Sequence, residues 1–93
     1  MKFEWDEKKH QQNIKKYGVS FYLAEMVFNE TMLSLQDDRK DYGEVRYSGF
    51  SMINERCINT VYVYRGDSIR IISMRKANER ETKTYTKELK KHR

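Results

Sequence analysis

Apolar residues in this chain fall into short runs divided by dense charge, and the spacing within each run predicts an element. MKFEW reads as a short opening strand. Asp6 is placed to cap a helix from about Glu7 to Tyr17, with Gly18 supplying a left-handed stop. The apolar face of that helix is thin, essentially His10, Ile14 and Tyr17, while Lys9, Asn13 and Lys16 fall together on a neighbouring polar face. Ser20 caps a second helix in which Phe21, Ala24, Val27 and Phe28 recur at helical spacing with Leu23 beside them, a core-facing stripe. The segment from Asn29 to Thr31 breaks it.

TMLSLQ alternates weakly, as a strand would, and DDRKDYGEV is a polar, charged loop. Three strand-like runs follow: RYSGFSMI, RCINTVYVY and SIRIISMRK. The first two are joined by Asn54-Glu55 and the last two by Gly66-Asp67, both short enough for hairpins, so an antiparallel meander is expected. A final helix begins at about Glu79, where Asn78 and Glu81 stand three apart as a capping box. Only Tyr85 and Leu89 give that helix an apolar stripe, so its last turns are expected to fray or to meet a partner. These elements predict an α+β domain spanning residues 1–93: two N-terminal helices packed on an antiparallel sheet, with a C-terminal helix.

Composition narrows the class. With 93 residues, 38% hydrophobic and 35% charged, the chain can bury one modest core. Seven Tyr, four Phe and one Trp argue against disorder despite the high charge. No apolar run approaches the roughly 20 residues of a membrane-spanning helix, and no signal-peptide core follows the N-terminus. The expected setting is therefore the cytoplasm, without membrane association. The lone cysteine, Cys57, cannot form an internal disulfide and reads as a small buried thiol. One Cys and two His do not make a recognisable zinc set, and no cofactor is expected. There is no phosphate-binding glycine loop and no nucleophile elbow. His10 and His92 lie far apart in the chain, which disfavours a two-histidine ribonuclease mechanism. The RGDS tetrapeptide at residues 65–68 is ordinary hairpin chemistry.

The net charge of +5 sits in the C-terminal third, where Lys and Arg far outnumber Asp and Glu. Such a third suits a polyanion or an acidic protein partner, or is simply a solvated basic helix. Within it, Arg65 ends one strand, Arg70 begins the next and Arg75 ends it. Guanidiniums beside Ile69, Ile71, Ile72 and Met74 cannot be buried unless something anionic meets them or they reach water. Strict alternation places Arg75 on the face of Ile69, Ile71 and Ser73, and Arg70 on the face of Ile72 and Met74.

Three stretches carry a resemblance that covers Phe3 to Tyr85 in the same order. They are FEWDEKK with Asn13, Lys16 and YGVSF, then DDRKDYGEVR, then IRIISMRKANERE with Tyr85. The chain resembles the BrnT family, small ribonuclease toxins of bacterial type II toxin–antitoxin pairs. The resemblance implies a RelE-like fold, metal-independent RNA cleavage, inhibition of translation, and neutralisation by a ribbon-helix-helix antitoxin (BrnA) in a hetero-oligomer that binds its own promoter DNA. The family's usual Lys-His-Gly is here Lys16-Tyr17-Gly18, whose phenol can still donate a hydrogen bond.

Metal-free RNA cleavage needs a group to deprotonate the 2′-hydroxyl, cations to stabilise the phosphorane, and an acid for the leaving oxygen. Arginine suits the second role because its fork matches phosphate and stays charged. The candidates are Arg65 and Arg75 for phosphate stabilisation, Lys9 for the RNA backbone or proton transfer, and Glu44 for a base or orienting group. Arg39 in the loop and Arg70 are candidate substrate contacts. Trp5 is a candidate to stack on a base, or core beside a helix start. Other functions open on sequence grounds are a non-catalytic nucleic-acid-binding module and a partner subunit.

Overall fold

The computed structural model describes residues 1–91. His92 lies outside them. The elements run β1 (Lys2–Glu4), α1 (Glu7–Tyr17), a 3-10 turn (Phe21–Leu23) leading into α2 (Ala24–Asn29), β2 (Met32–Gln36), β3 (Tyr47–Ile53), β4 (Arg56–Arg65), β5 (Ser68–Lys76) and α3 (Glu79–Lys91). Local chemistry sets their ends. The Asp6 carboxylate accepts from the N–H groups of Lys8 and Lys9, and Gly18 at φ 70 closes α1 with its N–H on Ile14 O at 2.7 Å. Asn54 and Glu55 take φ 50 and 65, the left-handed pair that a tight hairpin needs. At α3 the capping box is complete: Asn78 N donates to Glu81 Oε1 at 2.9 Å and Glu81 N donates to Asn78 Oδ1 at 2.8 Å.

The five strands form one sheet in the order β1-β5-β4-β3-β2. It is mixed rather than antiparallel, because β1 joins β5 in parallel, with Phe3 opposite Ile69. One face carries the larger core, in which Phe21, Ala24 and Val27 pack on Ile58, Tyr62, Ile69, Ile71 and Met74. The other face carries a small core, where Leu89 and Tyr85 of α3 meet Phe50, Met52 and Cys57. Leu89 is only 2% exposed, so the expected fraying of this helix gives way to packing on the sheet. Burial pushes the Cys57 thiol pKa up, as an inert packed cysteine requires. Among the described residues no helix is long and apolar enough to cross a membrane.

Two expectations from periodicity are corrected. Strict alternation fails in β5, because the register slips by one residue: Val61 faces Ser73 but Tyr62 faces Ile71. Ile72 is the extra residue, and it returns Arg70 and Arg75 to the same face. The inward face of α1 is only in part the expected one, since His10 is buried as expected but its companion is polar. Asn13 is buried, whereas Ile14 and Tyr17 are each 38% exposed. The cause lies in the sheet, since β1 covers only residues 68–70 of β5. Further along that edge, Met74 has neither N–H nor C=O paired to a strand. Asn13 supplies both partners, Nδ2 donating to Met74 O at 2.7 Å and Oδ1 accepting from Met74 N at 3.1 Å. A side-chain amide thus replaces one residue of a missing strand.

Candidate functional site

Helix α3 covers only part of the second sheet face. The uncovered remainder is a groove of about 420 Å³. Its floor is made by Ser48, Asn59, Val61 and Ser73 from the three central strands. Phe50 and Tyr85 stack almost parallel at 3.9 Å between ring centroids and form one wall. Tyr17 from the end of α1, Leu35 from β2, and Asp37 to Arg39 from the following loop complete the border.

Two guanidiniums enter this groove, each held by a carboxylate. Arg75 Nη1 donates to Glu81 Oε1 at 2.7 Å and Nη2 to Oε2 at 3.0 Å, with a further bond from Nη1 to Lys76 O at 3.3 Å. The Arg75 guanidinium holds the Glu81 carboxyl below its usual range, and Glu81 raises the Arg75 pKa in turn. At neutral pH Glu81 is therefore ionised and a poor proton acceptor. Its chemistry is to aim Arg75. The loop is built the same way: Arg39 Nε and Nη2 donate to the two oxygens of Asp37 at 2.8 and 2.9 Å, and Tyr42 OH donates to Asp37 at 3.3 Å. The Arg39 guanidinium lowers the Asp37 carboxyl to about 2. Arg46 lies over the Tyr42 ring at 4.0 Å, so this charged segment is organised around one buried acid.

The pairing does not exhaust Arg75. A guanidinium has five N–H donors, and the three bonds above leave Nε–H and one Nη2 proton side by side. That free edge is itself a fork able to meet two phosphate oxygens.

The candidate residues from sequence separate into distinct places. Arg75 and Arg39 share the groove. Arg65 pairs instead with Glu44 at 3.2 Å, beside a second depression lined also by Val45, Tyr47 and Tyr64. Six residues of β4 separate Arg65 from Asn59, the register partner of Arg75, which is roughly 20 Å of strand. Arg70 is engaged across the parallel pair, Nη1 to Glu4 Oε2 at 2.8 Å. Lys9 is exposed on α1, one turn before Asn13. Trp5 packs edge-on against His10, Phe21 and Tyr22 on the first face, with Nε1 donating to Glu7 at 3.0 Å. His10 belongs to that core too, its Nδ1 facing Glu7 and its Nε2 facing Ser20 Oγ at 3.1 Å.

Glu81, Asp37 and Asn59 were not anticipated as parts of the site. Glu81 has an evident local role in the helix cap, which hides its second one. Asp37 is one of several acids in a charged loop. For Asn59 a signal was present: an amide inside the apolar run RCINTVYVY must find partners or serve a ligand.

Among the described residues no three His, Cys, Asp or Glu side chains converge as a metal site. No curated protein matches the chain. A family model does match it over residues 5–81, a span that takes in α1, all of β2 to β5, and both Arg75 and Glu81. The chain belongs to the family that model describes, the ribonuclease toxin BrnT of type II toxin–antitoxin systems.

Proposed function

We propose that the chain is an endoribonuclease that cuts RNA in the groove beside α3 without a metal, inhibits translation in the cytoplasm, and is silenced by a BrnA-like ribbon-helix-helix antitoxin with which it binds promoter DNA. The observation that carries this is Arg75, aimed into the groove by Glu81 with one guanidinium edge still open. That edge meets the scissile phosphate and stabilises the charge that builds as the 2′-oxygen, its proton passed to water, bonds to phosphorus and the bond to the 5′-oxygen breaks with that oxygen taking up a proton. The Tyr17 phenol borders the same groove and is placed to donate a hydrogen bond to the phosphate or leaving oxygen. Arg39 contacts a neighbouring phosphate by exchanging Asp37 for it. Lys9 and the Arg65–Glu44 pair serve the RNA backbone away from the reacting bond. The α+β architecture suits the RelE-like fold expected of the family.

Incubating the purified protein with end-labelled RNA in excess chelator tests this directly. Fragments carrying a 2′,3′-cyclic phosphate are expected. Intact RNA after long incubation would sink the catalytic assignment. A non-catalytic RNA-binding module is the competing function, favoured by the ion-pairing of Asp37 and Glu81, which leaves both carboxylates poor proton acceptors while Arg39 and Arg75 can still meet phosphates. It would retard RNA in a gel and leave it uncut.

A further inference from the structure

Asn59 lies in the middle of β4, directly across from Arg75, and is 2% exposed. An amide so placed is informative through whichever polar atom it leaves open to the groove. Its nitrogen is used twice, Nδ2 donating to Ser48 Oγ at 2.8 Å and to Gly49 O at 3.2 Å. The Gly49 carbonyl can only accept, which fixes the amide nitrogen on that side. The oxygen is left over. No donor among the described residues reaches Oδ1, and Asn59 forms part of the groove floor.

We propose that Asn59 Oδ1 is the reading atom of a nucleobase subsite that selects a base bearing an exocyclic amino group, the class shared by adenine, cytosine and guanine. The inference rests on the ribonuclease assignment for its setting, and adds which nucleotide the groove holds. Because Nδ2 is already spent, Asn59 presents an acceptor alone and cannot form the two-point amide pattern that reads adenine in duplexes. An amino group offers it a donor. Uracil offers a single N–H with a carbonyl oxygen on either side, and those oxygens are repelled by Oδ1. The surroundings fit a base: hydroxyls from Ser48 and Ser73 at the floor, and the rings of Tyr17 and Tyr85 at the border. Register completes the match. Directly opposed residues on neighbouring strands stand about 5 Å apart, so a base on Asn59 brings its own phosphate toward the open edge of Arg75.

The test is binding, which is independent of whether RNA is cut. Adenosine 3′-monophosphate and its analogue without the amino group, purine riboside 3′-monophosphate, are titrated into the whole protein by calorimetry, and cytidine and uridine 3′-monophosphates form a second pair. The amino member of each pair is expected to bind roughly tenfold tighter, the effect of one hydrogen bond to a buried acceptor. In Asn59→Ala the difference should collapse to within about twofold, while the weaker phosphate-dependent binding persists. Thermal unfolding monitors whether that variant folds. If it does not, the two ligand pairs on the unaltered protein decide alone. Equal affinities within each pair, no binding of any of the four, or a preference for uridine would each overturn the subsite. Amino-selective binding by a protein that leaves RNA intact would uphold the subsite and remove the catalytic assignment. RNA cleavage without amino-selective binding would do the reverse.

Discussion

The two faces of the sheet are built from the same strands and put to different ends. On the first, α1, the 3-10 turn and α2 cover the strands, and Phe21, Val27 and Met74 are fully buried. On the second, one helix covers the β3–β4 end and leaves the rest open, so polar side chains stand where the first face has aliphatic ones. Apolar packing is concentrated on one side, and the groove with its paired arginines lies on the other. Single residues serve both: Asn13 reaches from the first face to fix Met74, the residue before Arg75.

Substitutions that strike one face alone test the division. The largest effect is expected from Phe21→Ala, which empties the centre of the first core and should cost about 3–5 kcal/mol in urea unfolding. Phe50→Ala on the second face should cost about 2 kcal/mol, since the groove beside it can relax. Equal losses would show that the small core matters as much as the large one. Next comes Arg75→Ala, expected to slow RNA cleavage by about 10²–10³-fold at a stability cost near 1 kcal/mol. Arg75→Lys should recover only part of the rate, because an ammonium keeps the charge without the fork. Cleavage at the wild-type rate by the alanine variant would place the chemistry elsewhere.

Asn13→Ala bridges the two faces. It strips partners from both backbone groups of Met74 and should cost about 2 kcal/mol. Activity measured well below the midpoint should fall as well, because the strand end that carries Arg75 loses its anchor. An unchanged rate would confine Asn13 to the first face.

The smallest effect concerns acid. The folded-state pKa of Asp37 is depressed from 3.8 to about 2, so its contribution is fully present above the unfolded value and is lost as pH falls from about 4 toward 2. Arg39 is largely exposed, which keeps the contribution below about 1 kcal/mol. Asp37→Asn should therefore lower stability slightly at pH 7 and flatten its decline below pH 4. An unaltered slope would mean that the ion pair contributes nothing.

Local chemistry was legible in the sequence and tertiary accommodation was not. Asp6, Gly18, Asn54-Glu55 and the Asn78–Glu81 box announce their turns and caps because the interactions involved span a few residues. The burial of Asn13 depends on how far β1 reaches along β5, and the slip at Ile72 depends on packing against β4. Neither leaves a mark in hydrophobic periodicity. At the site, the charge of Arg75 and Arg39 drew attention, yet Glu81 carried another evident duty in the helix cap and Asp37 was one acid among several in its loop. Sequence alone puts Arg65 at the turn end of the last hairpin and Arg75 at the other, and the register agrees, but both remained candidates for one phosphate until the strand length between them was set.

Glu81 joins the box that starts α3 and the carboxylate that aims Arg75 in a single side chain. Because α3 follows every strand in chain order, these contacts are the last to be made as the polypeptide emerges from the ribosome. Without α3, Phe50 has no ring to stack on and Arg75 no carboxylate to hold it. The Tyr85 wall and the carboxylate that aims Arg75 both come from α3, so the groove is complete only with that helix in place.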